Sequence, residues 1–188
     1  MPTIDPGHPA PNFSLSGQHG QKRTLREFRG RPVVIYFYPE DETPLCTNQA
    51  CGLRDLQAEF DKLGVAVIGI SPDTVESHAA FAANHKLKFT LLADVPGKDG
   101  VPRVCESFGA WGTKKLYGRI YKGLLRTTYL IDAAGNVARR WDSVKTPGHA
   151  ERVLAAAKTL LEPPTLVSKP RAKPKPAATK RRAAATSR

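Results

Sequence analysis

The stretch PVVIYFYPEDETPLCTNQAC, residues 32–51, decides the fold of this chain. It begins with a continuous run of β-branched and aromatic residues, which is typical of a strand buried on both faces of a sheet. An acidic segment follows, and then the step Thr43-Pro44, which is a start signal for a helix. The stretch therefore predicts a central strand that leads through a short loop into a helix carrying Cys46 and Cys51.

A second strand and a covering helix extend this unit. VAVIGI, residues 65–70, is another continuous apolar run. Between the two runs, Leu53, Leu56, Phe60 and Leu63 recur at helical spacing, which predicts an amphipathic helix packed on the sheet. Strand, helix and strand in this order form a βαβ unit with parallel strands.

Further segments predict an α/β protein with a mixed central sheet flanked by helices. The remaining helices are expected over residues 74–85 and 149–161, the second with Thr146 as its N-cap. The remaining strands are expected in FTLLAD, TTYLID and GNVARRW, the last two forming a hairpin with its turn at 132–135.

Composition divides the chain into two parts. Residues 1–162 are expected to form one globular domain, and residues 163–188 a disordered tail dominated by Pro, Ala, Lys and Arg. Eight of the 29 basic residues lie in 169–188, where there is no acid, so the net charge of +12 belongs mainly to the tail. The tail is either a solvated extension or a nonspecific binder of DNA, RNA or another polyanion.

The sequence favours a cytoplasmic protein. Its first residues lack the charged and apolar regions of a secretory signal, and its apolar runs are too short to span a membrane. No glycine pattern between a strand and a helix indicates a nucleotide cofactor. The histidines are scattered and expected to be solvated, so no metal site is indicated; they are His8, His19, His78, His85 and His149.

Cys46 is placed for nucleophilic chemistry. If Thr43 caps the helix and Pro44 is its first residue, the sulfur lies near unpaired backbone N–H groups and the helix dipole favours the thiolate. The three acids at 40–42 oppose this, because nearby carboxylates disfavour a second negative charge. A cation from elsewhere in the chain would decide the balance.

The spacing of Cys46 and Cys51 limits what the pair can do. In an intact helix they are separated by about 7.5 Å along the axis. A disulfide usually needs Cα atoms closer than about 7 Å, so the two can bond only where the helix unwinds. A transient bond fits this spacing better than a structural one, although two small buried residues remain the simpler alternative.

These residues resemble the peroxiredoxins. Pro39-x-x-x-Thr43-x-x-Cys46 is similar to the active-site signature of that family, and a second cysteine five positions on resembles its Q-type, or bacterioferritin-comigratory, branch. The segments APNFSL, GISPD, FGAWGTKKLYGR and LLRTTYLID are further matches, so the likeness spans roughly residues 8–161. Leu45 stands where the family often has glycine, and the basic tail is not part of the usual pattern.

The resemblance implies a thioredoxin-like fold and a thiol peroxidase that reduces hydrogen peroxide and organic hydroperoxides without a cofactor. By this resemblance Cys46 is the peroxidatic cysteine, Thr43 binds the sulfur and the peroxide, Pro39 shields the pocket, and Arg126 supplies the missing cation. Cys51 is then the resolving cysteine, which forms an intramolecular disulfide with Cys46. Thioredoxin or a similar dithiol would reduce that bond, and a monomer is expected because both thiols lie in one chain.

Two other classes of protein remain as alternatives. One is a general disulfide oxidoreductase, although the C-x-x-x-x-C spacing differs from its C-x-x-C motif. The other is a polyanion-binding protein that acts through residues 169–188. Cys105 is expected to be a core residue of a short helix, with a second resolving thiol as its alternative. Trp111 and Tyr117 are expected in a loop near the active site rather than on a nucleic-acid face.

Overall fold

The computed structural model describes residues 4–116 and 118–162. The strands in this part of the chain are β1 (Ser14–Gly17), β2 (Lys22–Thr24), β3 (Val33–Phe37), β4 (Ala66–Ser71), β5 (Thr90–Ala93), β6 (Trp111–Leu116), β7 (Arg119–Leu124), β8 (Thr127–Ile131) and β9 (Val137–Trp141). The helices are α1 (Pro44–Asp55), α2 (Gln57–Lys62), α3 (Val75–Asn84), α4 (Arg103–Ser107) and α5 (His149–Leu161). The predicted tail, 163–188, lies outside the described residues.

One mixed sheet forms the centre of the protein. Its strand order is β2-β1-β5-β4-β3-β8-β9. The strands β3, β4 and β5 are parallel, whereas β8 runs antiparallel to β3 and β1 runs antiparallel to β5. The predicted mixed sheet, its βαβ unit and the β8–β9 hairpin are therefore confirmed. None of the helices in the described ranges is long and apolar enough to cross a membrane.

The central strand β3 is buried because both faces of the sheet are covered. Val34 and Tyr36 belong to a core that includes residues of α1, α3 and α5. Ile35 and Phe37 belong to a second core that includes residues of α4 and β8. All four side chains are inaccessible to solvent, and burial of an apolar side chain such as Val34, Ile35 or Phe37 stabilises the fold by about 1.5–3 kcal/mol. This two-sided burial explains the continuous apolar run in the sequence.

Two helix predictions were wrong in detail. The single helix expected through Leu63 is divided, because the backbone at Leu56 (φ −99°, ψ 6°) separates α1 from α2. Leu56, Phe60 and Leu63 still pack against the same core, as their helical spacing predicted. The range of α5 agrees with its prediction, but its N-cap is Gly148 rather than Thr146. Gly148 has φ 65°, a left-handed conformation that glycine adopts without the cost of a β-carbon.

The segment around Trp111, expected to be a loop, belongs to a β-hairpin instead. β6 pairs antiparallel with β7, and Trp111 lies opposite Leu124. Trp111 packs against the second core, whereas Ile120 and Tyr121 are exposed. Tyr117, which was expected beside Trp111, lies outside the described residues.

Candidate active site

The site begins where β3 ends and the chain crosses to α1. Pro39, two residues after the end of β3, is half-buried, and α1 starts at Pro44 with Thr43 as its N-cap. The predicted start of this helix is therefore confirmed. Thr43 occupies the N-cap position, but its hydroxyl makes no capping hydrogen bond to the helix. It donates instead to the carbonyl oxygen of Glu40 (3.0 Å). Cys46 thus lies in the first turn, with 1% of its surface exposed.

Arg126 brings a positive charge to the sulfur of Cys46. Its Nη2 donates to Cys46 Sγ at 3.2 Å, and its Nη1 donates to Gln49 Oε1 at 2.6 Å. Arg126 directly precedes β8, whose Thr127 pairs with Phe37 at the end of β3. This register places Cys46 and Arg126, which are 80 residues apart in the sequence, at the same end of these two strands. Arg126, which the resemblance assigned as the missing cation, is therefore next to the thiol.

Gln49 is a site residue that sequence reasoning missed. It is three residues after Cys46, so the two side chains share one face of α1. Gln49 is 2% exposed, and its Oε1 fixes one arm of the Arg126 guanidinium. Its Nε2 has no hydrogen-bond partner among the described residues. The helical spacing was visible in the sequence, but nothing there linked Gln49 to Arg126.

Cys51 lies deeper in α1 and is half-buried, and its thiol is free, as are those of Cys46 and Cys105. A groove of about 360 Å³ lies beside it, lined by residues of α1 and by the start of α5.

His149, which lines this groove, is buried, and its Nε2 lies 2.9 Å from Thr128 Oγ1. Burial, helped by the charges of nearby arginines, lowers the pKa of His149 to about 4, so it is neutral at physiological pH.

Two of the histidines expected to be solvated are buried. His78 and His149 have 0% and 2% of their surface exposed. His78 belongs to a hydrogen-bonded group around Asp41, and His85 pairs with Glu42 at 2.8 Å. The carboxylates of Asp41 and Glu42 are therefore engaged by α3, which reduces the repulsion that the sequence suggested for a thiolate at Cys46.

Two further residues near Cys46 add apolar surface and charge. Leu45, beside Cys46, is 60% exposed. Lys114 on β6 lies close enough to Arg126 for their charges to interact. Burial, and then the charge of Arg126, lowers the pKa of Lys114, whereas Cys46 acts in the opposite direction.

Cys105 is separated from the other two thiols. It is fully buried in the second core, whereas Cys46 belongs to the first. Its backbone N–H donates to Asp94 Oδ2 at 2.7 Å. Burial, together with the charge and hydrogen bond of Asp94, raises the pKa of the Cys105 thiol well above its usual range. These features agree with the predicted core role.

A reduced cysteine in the first turn of a helix, held by a guanidinium, has the environment of a nucleophilic thiol. Within residues 4–116 and 118–162, no group of three or more His, Cys, Asp or Glu side chains could hold a metal ion. The mixed sheet, with this thiol in the first turn of the helix that follows its central strand, defines a thiol-dependent enzyme of the thioredoxin-like class.

Comparison with known proteins gives the family. Residues 6–140 match the AhpC/TSA family. The peroxiredoxin Bcp of Escherichia coli strain K12 is 45% identical over 154 residues, which cover 82% of this chain and 96% of that protein. The peroxiredoxin Bcp of Bacillus subtilis strain 168 is 39% identical over 160 residues, covering 85% and 99%.

A solved structure of the Xanthomonas campestris bacterioferritin comigratory protein, described with its alkyl peroxide reduction activity, has a similar fold. It superimposes with a TM-score of 0.74 at 37% identity and covers 82% of this chain and 98% of that one. This chain belongs to the AhpC/TSA family and, within it, to the Bcp or Q-type peroxiredoxins. It is a thiol peroxidase with a peroxide substrate and a thiol reductant, and a general disulfide oxidoreductase is not favoured.

Proposed function

We propose that Cys46 is the peroxidatic cysteine of this enzyme. The observation that carries the proposal is the hydrogen bond of 3.2 Å from Arg126 Nη2 to Cys46 Sγ. The thiolate attacks one oxygen of the peroxide and the O–O bond breaks. Sulfur gains the OH group and becomes a sulfenic acid, while the other oxygen leaves as water or an alcohol after it takes up a proton.

Four neighbours assist this step in the proposal. Arg126 stabilises the thiolate and then the negative charge that develops on the leaving oxygen. Gln49 holds the second arm of the guanidinium, so the arginine is oriented before the peroxide enters. Thr43 supplies a hydroxyl for the sulfur and the peroxide once it leaves the Glu40 carbonyl, and Pro39 shields the pocket.

We propose that Cys51 resolves the sulfenic acid. Its thiol attacks the sulfur of Cys46, the S–O bond breaks, water leaves and a disulfide forms. Because α1 is intact and the two cysteines are five residues apart, residues 44–51 have to unwind for the sulfurs to meet. Thioredoxin or a similar dithiol then reduces the disulfide by exchange. The groove beside Cys51 gives that reductant access.

The proposal also covers the substrates, the oligomeric state and the location of the enzyme. The alkyl peroxide reduction described for the Xanthomonas campestris protein supports organic hydroperoxides as substrates besides hydrogen peroxide. A monomer suffices, because both reacting thiols lie in one helix. The cycle returns to a dithiol only in a reducing compartment, which supports a cytoplasmic location.

We expect Cys51→Ser to stop steady turnover with thioredoxin, thioredoxin reductase and NADPH while leaving the first reaction with peroxide intact. One equivalent of peroxide per chain is consumed because Cys46 is still oxidised, but its sulfenic acid has no thiol to condense with. NADPH oxidation falls by at least about a hundredfold, and rapid quenching shows one equivalent of peroxide lost.

Cys105→Ser is the matched control for Cys51→Ser, since it removes a cysteine from the other core and should retain full turnover. Non-reducing electrophoresis of the oxidised wild-type protein should show no covalent dimer. Unchanged NADPH oxidation in Cys51→Ser would refute the resolving role, and a covalent dimer in the wild type would refute the intramolecular bond.

We also propose that residues 169–188 attract polyanions without sequence preference. Eight Lys and Arg residues among Pro and Ala spacers support this, because neutralising phosphates releases counterions. A chain truncated after Leu161 should keep its peroxidase rate and lose salt-sensitive binding to duplex DNA, measured by fluorescence anisotropy at two salt concentrations. Equal DNA binding by the truncated chain would contradict the proposal.

A further inference from the structure

Residues 44–51 have two shapes in the proposed cycle. The helical shape holds Cys46 beside Arg126, and an unwound shape lets Cys46 reach Cys51. The balance between the shapes depends on how firmly the chain is held on either side of this segment. In this structure α3 and the loop before it hold the chain on both sides.

The first fastening, the Asp41 latch, consists of Asp41 with Ser77 and His78. The Asp41 carboxylate accepts hydrogen bonds from Ser77 Oγ (2.7 Å) and Tyr38 OH (2.7 Å), and His78 Nδ1 lies 2.8 Å from it. The Asp41 backbone N–H donates to Asp73 Oδ2 at 2.9 Å. Burial raises the pKa of Asp41, but the contacts with His78, Ser77 and Tyr38 outweigh it and leave the pKa below its ordinary value.

The second fastening, the Glu42 latch, consists of Glu42 with Asn84 and His85. The Glu42 carboxylate accepts from Asn84 Nδ2 at 2.9 Å and lies 2.8 Å from His85 Nε2. Glu42 has φ 58°, a left-handed conformation that is strained for a residue with a β-carbon. The hydrogen bonds to the end of α3 offset that strain and hold the loop in an unusual turn.

The other end of α1 is also attached to α3. Arg54 Nη1 donates to the carbonyl oxygen of His85 at 2.8 Å. His85 therefore contacts Glu42 through its side chain and Arg54 through its backbone carbonyl oxygen. The segment that has to unwind lies between these two attachments, and Cys46 is only four residues beyond Glu42.

We propose that Asp41 and Glu42 are positioning residues, whose two latches hold the loop before Cys46 on α3 and favour the helical shape of residues 44–51 over the unwound shape. This inference rests on the proposed roles of Cys46 and Cys51. The latches keep Cys46 in reach of Arg126 and so speed the reaction with peroxide. They also oppose unwinding and so slow the formation of the disulfide.

A third consequence concerns overoxidation. A sulfenic acid that waits longer in the helical shape can react with a second peroxide molecule. Sulfur then gains another oxygen and becomes a sulfinic acid, and water or an alcohol is released. Tight latches therefore increase the fraction of Cys46 that is overoxidised at high peroxide, and loosened latches decrease it.

The test is single-turnover stopped flow of the full chain with hydrogen peroxide, using Asp41→Asn and Glu42→Gln. The first phase reports oxidation of Cys46, and the second reports its disulfide with Cys51. We expect Asp41→Asn to slow the first phase by about tenfold and to speed the second severalfold, because a hydrogen-bonded charge is removed from the helical shape. Glu42→Gln should act in the same two directions with smaller changes, because Glu42 is exposed.

Ser77→Ala gives a milder test of the buried latch, since it removes one hydrogen bond and leaves Asp41 and His78 in place. Glu40→Gln is the matched control, because Glu40 is an exposed acid of the same loop that contributes only its backbone carbonyl to the described hydrogen bonds. Mass analysis after high peroxide should show less sulfinic acid in the latch variants than in Glu40→Gln.

Opposite changes in the two phases support the latches. If both phases slow, the substitutions have damaged the fold in general. If neither phase changes, the latches do not affect the balance between the helical and unwound shapes. Either result overturns the inference. Failure of the proposed function looks different, because the wild-type chain would then lack a fast first phase or a second phase that ends in the Cys46–Cys51 disulfide.

Discussion

Peroxide consumption should be abolished in Cys46→Ser. The serine hydroxyl has the size to fill the site in the first turn of α1, but at neutral pH it is not ionised and it does not break the O–O bond. We expect the rate of peroxide loss to fall by at least about 10³-fold, to that of the peroxide in buffer. Both alkyl and hydrogen peroxides should be affected alike, because they meet the same sulfur.

The control for this variant is Cys105→Ser, which removes the same atom from the other side of the sheet. Thermal unfolding of both variants should remain cooperative, which separates a chemical loss from a folding loss. Peroxide consumption by Cys46→Ser within tenfold of the wild type would show that another thiol carries the reaction.

The second large effect is expected for Arg126→Met. The substitution leaves the Cys46 sulfur and Gln49 Oε1 without their shared donor. The rate constant for the first reaction with peroxide should fall by about 10²–10³-fold, the usual cost of removing a donor that stabilises developing negative charge. Stopped-flow fluorescence at several peroxide concentrations measures this rate constant.

Arg126→Lys separates charge from geometry. A lysine ammonium keeps the positive charge but lacks the planar fork that contacts both partners, so an intermediate rate is expected. Arg139→Met is the matched control, because Arg139 is an exposed arginine on β9 and should not alter the rate. A wild-type rate in Arg126→Met would contradict the role assigned to the guanidinium.

Much of the fold could be predicted because its central strands are buried on both faces. The runs before Pro39 and before Ser71 are continuous in apolar residues, and only a strand between two cores requires this. The β6–β7 hairpin could not be predicted in the same way. Its strands, WGTKKL and RIYKGL, have neither a continuous apolar run nor a strict alternation of apolar and polar residues, so the pairing depends on its position beside the second core rather than on its own pattern.

The candidate site was predictable where its residues are close in sequence. Thr43, Pro44 and Cys46 lie within four consecutive residues, and local helix-start rules place them correctly. Arg126 was assigned by resemblance alone, since the β3–β8 register that brings it to Cys46 is a long-range feature.

The latches were missed for a similar reason. His78 lies on α3 and His85 directly follows its last residue, and the sequence of this segment does not distinguish a solvated histidine from a buried one. Their acidic partners are about 40 residues earlier in the chain, so only the assembled fold reveals the pairing. The sequence suggested that these acids oppose a thiolate, whereas in the fold they fasten the loop that carries it.

The most direct test of the account is stopped-flow mixing of the reduced protein with hydrogen peroxide, followed by tryptophan fluorescence and then by mass analysis of the product. The account predicts a fast first phase, a slower second phase, and a peptide pair joined by a Cys46–Cys51 disulfide. A single sluggish phase, at the rate of an ordinary free thiol and without that disulfide, would contradict it.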